Sequence, residues 1–270
     1  MIESQRSAMV APPSSPLRRE RNVILGTLLL LAAAAWGILV VQAHASMQTG
    51  LTMGMQASLF LLIWIVMMVA MMFPAAAPMI LIFARVQAGK RTQGRAFVPT
   101  WIFAAAYVVI WTTAGAVGYV GAVLGERVGA GNMWFMTNGA RLTGALLVLA
   151  GVYQFTPLKR MCLSKCRSPL TFVVSSWRDG YQGAVRMGLQ HGLYCFGCCW
   201  LLFVILFPLG MMNIALLAVL TLVIFAEKVL PYGDRVSWFA AAVLVAYGLA
   251  VVVSPGLLPT MANTQNTMHM

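Results

Sequence analysis

The sequence predicts an all-α, polytopic helical membrane bundle of about seven transmembrane helices, and three observations predict it. Hydrophobic residues make up 61% of the chain and charged residues only 9%. The apolar residues gather in uncharged runs near the roughly 20 residues that cross a bilayer as a helix. The basic residues, 18 against 6 acidic ones, collect between those runs. That placement fits positive loops at a membrane and excludes the continuous basic face of a nucleic-acid binder. Nothing alternates with the period of two that a transmembrane barrel needs, and an open sheet would leave its backbone unsatisfied in lipid.

Residues 1–21 mix Pro12, Pro13, Pro16, Ser14 and Ser15 with Arg18, Arg19 and Arg21, the composition of a disordered basic arm. The run that follows is longer than a signal-peptide core and more spans come after it, so it reads as a retained first helix. The expected spans are 22–43, 57–84, 97–125, 133–155, 188–210, 213–229 and 236–254, within one transmembrane domain at 22–254, and a flexible tail follows at 255–270. With seven spans, Arg18 to Arg21, Arg85 to Arg95, Lys159 to Arg186, and Lys228 with Arg235 all fall on one side, while the other side holds only Arg127. Positive-inside then puts the N-terminus in the cytoplasm and the C-terminus outside, in a multi-pass protein of a bacterial cytoplasmic (inner) membrane.

Span two carries Met67, Met68, Met71 and Met72 ahead of Pro74 and Pro78. The prolines remove backbone donors and should kink the helix. The methionines read either as adaptable packing or as a thioether ladder for a soft cation such as Cu(I). Glu126 and Arg141 form a candidate pair between spans three and four, with snorkelling of Arg141 as the alternative. Glu227 ends span six, either near the cysteines or paired at the surface with Lys228 or Arg235. His44, Met47, Met53, Met55, Met133, Met136, Met211, Met212 and the terminal Met268-His269-Met270 make a diffuse outer collection surface for a soft metal.

The richest stretch is His191 to Trp200, which holds three of the five cysteines. At about 100° per residue, His191, Cys195, Cys198 and Cys199 share roughly a third of a helical turn. An imidazole and three thiols on one stripe need few further ligands, and Cys162 and Cys166 are the remaining thiols. Both groups fall on the reducing side, where structural disulfides are disfavoured. Gly188 and Gly192, four apart at the start of span five, predict that a neighbouring helix approaches closely there.

These motifs resemble those of a bacterial family of predicted metal-binding integral membrane proteins, over about residues 55–255. The resemblance rests on Trp64, Met67, Ala70-Met71-Met72 and Pro74; Tyr107 and Trp111; Tyr153-Gln154, Pro157-Leu158-Lys159, Cys162 and Cys166-Arg167-Ser168-Pro169; Gly188, Gly192, Cys195 and Gly197-Cys198-Cys199-Trp200; Gly210, Met212-Asn213, Glu227-Lys228 and Pro231. It implies a multi-span protein that binds metal through these cysteines. The family's methionine after the Cys-Cys-Trp segment is replaced here by Leu202-Phe203.

The expected function is therefore handling of a soft metal ion, Cu(I) favoured over Zn(II), at a cytoplasm-facing cluster of Cys162, Cys166, Cys195, Cys198 and Cys199 with His191, fed by Met67, Met68, Met71 and Met72. The partners this implies are membrane lipid, the ion itself and a metal chaperone or acceptor protein, with no nucleic acid. The alternatives are a membrane thiol–disulfide oxidoreductase built on Cys195-x-x-Cys198 and cysteines that only pack. No phosphate-binding Gly-rich loop, nucleophile elbow or working carboxylate pair is present, so a non-enzyme is expected.

Overall fold

Apolar runs with the composition described above can satisfy their backbone in lipid only as helices, and a computed structural model, which describes residues 15–45 and 50–258, is helical throughout its regular elements. In chain order these are α1 (Ser15–Ala45), α2 (Ala57–Thr92), α3 (Thr100–Ala130), α4 (Met133–Gln154), α5 (Pro157–Arg167), α6 (Pro169–Ser176), α7 (Gly180–Val204), α8 (Leu206–Leu209), α9 (Ile214–Val229) and α10 (Gly233–Val253), followed by a 3-10 turn at Pro255–Leu257. The connection expected as a basic loop between 156 and 187 is in fact two short helices, and α7 starts at Gly180, ahead of the expected 188. The end of the expected N-terminal arm, from Ser15, is the first turns of α1. Residues 1–14, Met47 and the tail with Met268, His269 and Met270 lie outside the described residues.

Among the described residues five helices are long and apolar enough to cross a membrane: α1, α2, α3, α7 continued through α8, and α10. Two of the seven expected spans are not among these five: α4, with 22 residues, and α9, with 16.

The bundle is arranged around α2, which packs against α1, α3, α9 and α6. It runs as one helix through Pro74 and Pro78, and Met67, Met68, Met71 and Met72 are all buried on it. Trp64 of α2 donates its indole N–H to the carbonyl of Trp111 on α3 at 2.8 Å. On its other side α3 lies against α7, and the two glycines explain how. A Cβ at Gly188 would stand 2.5 Å from the carbonyl oxygen of Phe103, and one at Gly192 would stand 3.2 Å from that of Tyr107. Only hydrogen at these positions lets the backbones come this close. At the flank, α4 and α10 pair chiefly with each other.

The expected Glu126–Arg141 pair does not form. Glu126 instead accepts from the Thr52 backbone N–H at 2.7 Å and from its hydroxyl at 3.0 Å, holding the turn between α1 and α2. Arg141 reaches Asn138 on its own helix. The turn needs an acceptor for its backbone donor, and a carboxylate one helix end away supplies it. Glu126→Ala is expected to destabilise this connection by about 1–2 kcal/mol and to speed protease cleavage between 50 and 56.

Where α2 ends and α7 begins, Lys90 bonds Asp179, which also accepts from the Trp177 indole at 2.9 Å. The Lys90 ammonium, helped by that indole, holds the Asp179 carboxyl below its usual range. A depressed carboxylate stabilises the fold above its unfolded pKa and loses that contribution as pH falls through the folded value. Trp177 fluorescence should therefore change on acidification below about pH 4 in the native protein and not in Asp179→Asn.

Candidate metal centre

Two helices deliver the cysteines. On α7, His191, Cys195, Cys198 and Cys199 all lie on the buried side, as the spacing required. The second, α5, starts where Thr156 caps it, its side chain accepting from the Lys159 N–H at 3.3 Å with Pro157 in the first turn. Both residues are favoured at these positions, the first as an acceptor and the second for its fixed φ. Cys162 and Cys166, four apart, share the face that α5 turns to α7. The Cys162 sulfur sits over Gly197, 2.7 Å from where a Cβ would stand, and Cys166 lies beside Cys195 and Cys198. Burial pushes the Cys162 thiol up, and the nearby Cys198 sulfur adds to it.

A buried ion pair fixes α5 in this place. Lys159 Nζ lies 2.9 and 2.8 Å from the two carboxylate oxygens of Glu227 on α9 and also bonds the Gln154 side chain. Both charged side chains are almost wholly enclosed, at 1% and 2% exposure. At the rim of the same helix Arg167 bonds Asp234 at 2.7 Å and the carbonyl of Pro231 at 3.0 Å. Tyr153 ties the end of α4 to α7 through a hydrogen bond to the Gly197 carbonyl.

At the centre is Cys195. Its sulfur lies 3.0 Å from the Tyr107 hydroxyl of α3 and 2.9 Å from Lys228 Nζ of α9. That ammonium is also 3.9 Å from the Met72 sulfur of α2. The sulfurs of Cys198 and Cys199 are 3.5 Å apart, and both thiols donate to the Cys195 carbonyl, at 3.1 and 2.8 Å. One turn earlier His191 is stacked on Phe103 and Tyr107, with centroids 5.9 and 5.4 Å away, and Phe172 lies tilted against it at 5.7 Å. Neither of its ring nitrogens has a hydrogen-bond partner among the described residues. A buried imidazole without partners forfeits solvation that a ligand would restore.

The structure thus gathers thiols of α5 and α7 at one place and brings Met72 to it, while Met67, Met68 and Met71 are buried in the surrounding core. Among the described residues no three of His, Cys, Asp and Glu are arranged as a formed metal site. What exists is a sulfur nest whose thiols hydrogen-bond one another, a carbonyl and an ammonium. As a donor set it suits a soft ion, because thiolates and thioethers select Cu(I).

Three contributors to the nest escaped the reading of the sequence as site residues: Tyr107, Lys159 and Lys228. For the lysines a signal existed. Glu227-Lys228 closes an apolar helix, where charge is expensive unless each member finds a partner.

A family model described as PpoB2, copper chaperone, matches residues 61–251, while no curated protein and no solved structure matches the chain. The matched stretch runs from α2 to α10 and contains both cysteine-bearing helices. By this match, the chain belongs to the PpoB2 copper chaperone family.

Proposed function

We propose that the protein is a multi-pass inner-membrane handler of Cu(I), with seven spans, a cytoplasmic N-terminus and an outer C-terminus. Cu(I) is its cargo, held by Cys195, Cys198, Cys199, Cys166 and Cys162 with His191 one turn away. Met67, Met68, Met71 and Met72 feed it, and an acceptor protein receives the ion. The observation that carries this reading is that thiols of α5 and α7 gather around Cys195 while the Met72 thioether of α2 reaches the Lys228 ammonium that Cys195 also contacts, three segments far apart in the chain.

Copper is favoured over zinc on donor chemistry. A structural zinc site wants four ligands in a closed tetrahedron, and the Met72 thioether adds nothing for that ion. Seven spans are favoured because they alone keep the basic loops on one side. The redox alternative is weakened by access: Cys195, Cys198 and Cys199 are each 1% exposed, and thiol–disulfide exchange requires a partner sulfur to reach the attacking one.

The test is elemental analysis of detergent-purified protein after anaerobic loading with Cu(I), beside Cys195→Ser/Cys198→Ser. Stoichiometric copper in the native chain and its loss from the variant is the expected result. Equal copper in both proteins, or zinc retained in preference to copper, would overturn the reading.

A further inference from the structure

Lys228 is the odd group in the nest. Its side chain runs into the core from the end of α9, and the residue is 8% exposed. A buried ammonium normally answers to a carboxylate. Glu227, the adjacent residue, turns the other way to Lys159. Lys228 is left to sulfur: 2.9 Å to Cys195 and 3.9 Å to Met72. A soft monovalent ion bridging those two sulfurs would occupy the volume that the ammonium now fills. The two cations carry equal charge and cannot share the seat.

Building on the copper-handling reading, we infer that Lys228 is a tethered competitor for the ion, seated between Cys195 and Met72 when the nest is empty and displaced when Cu(I) enters. At the seat itself one unit cation replaces another, and each thiol that binds the ion as a thiolate releases its proton to solvent. The tether also aids release, because the ammonium is held next to the seat and reoccupies it as the ion leaves. A carrier must give up its cargo as well as hold it, and an internal competitor lowers apparent affinity without removing a ligand. Where the receptive arrangement, with Lys228 withdrawn, is populated at about a tenth or less, removing the competitor tightens apparent binding at least about tenfold.

Cu(I) affinity is measured anaerobically in detergent by competition with a chromophoric Cu(I) chelator, for the native chain, Lys228→Leu and Lys228→Arg. Leucine supplies no donor atom, so tighter binding cannot come from a new ligand. The expected result is at least about tenfold tighter binding and slower transfer to the chelator for Lys228→Leu, with Lys228→Arg no tighter than native. Equal or weaker binding by Lys228→Leu overturns the inference while leaving the copper reading intact; absence of Cu(I) binding by the native chain overturns both. A second measurement does not depend on the variants folding. In the native protein, acylation of Lys228 by an amine reagent, read by mass spectrometry, should rise on Cu(I) loading, and unchanged acylation overturns the inference.

Discussion

Glu227→Gln is expected to destabilise the protein by about 3–5 kcal/mol, because it leaves the Lys159 ammonium enclosed without its counter-charge. Lys159 and Glu227 are each 1% exposed, so water cannot take over the lost interaction. The Gln154 side chain offers the ammonium one remaining neutral oxygen, a weaker partner than a carboxylate. The measurement is thermal unfolding in detergent followed by tryptophan fluorescence. Removing both charges, in Lys159→Met/Glu227→Gln, should recover much of the loss, since replacing a whole buried pair is far milder than breaking it. A double variant as unstable as the single one would mean that the pair matters by shape alone. The consequence reaches the nest, because Lys159 lies one turn before Cys162 on α5. On the copper reading proposed above, the single variant should lose Cu(I) binding at temperatures where the native protein retains it.

Gly248→Leu is the second large effect, expected at about 1–3 kcal/mol and near the upper end. A Cβ at Gly248 would stand 2.7 Å from the carbonyl oxygen of Gly144 and 2.8 Å from the backbone nitrogen of Val148. These obstructions are backbone atoms of α4, so no rotamer change relieves them and the two helices must part. Leucine has better helix propensity than glycine by somewhat under 1 kcal/mol, which offsets only part of the strain. Gly121→Leu is the control, since nothing lies within 4 Å of a Cβ there, and it should be neutral or stabilising in the same thermal scan. Equal melting of the two variants would remove α4–α10 packing as the reason.

The stripe on α7 was legible in the sequence because helical periodicity alone fixes which of His191, Cys195, Cys198 and Cys199 share a face. The close approach of α3 was legible from Gly188 and Gly192 for a similar reason, as glycines four apart on a helix open one face to a close neighbour. The place of α5 was only half legible. Its basic residues suggested a loop, although Thr156-Pro157 is a helix-start signature and Leu158, Cys162 and Cys166 recur at four-residue steps. Lys159 and Lys228 were passed over because of the rule used to orient the chain. Positive-inside counts every lysine between spans as a surface charge, and it cannot separate those that mark topology from those that turn inward to a carboxylate or a thiol. Glu126 shows the same limit: its partner is a backbone donor at Thr52, which no side-chain pattern reveals.

The pairing of α4 with α10 also sets a timetable for the newborn chain. About 80 residues separate the two helices, so at ~5–20 residues per second the ribosome needs roughly 4–16 s to supply the second after the first has emerged. Throughout that delay Gly144 and Gly151 lack the helix that covers them, and Arg141 is held in a helix whose natural mate does not yet exist. On the seven-span reading proposed above, insertion of α4 is the step at which synthesis leans most on the translocation machinery, and slowing translation after Gln154 should increase degradation of the half-made protein.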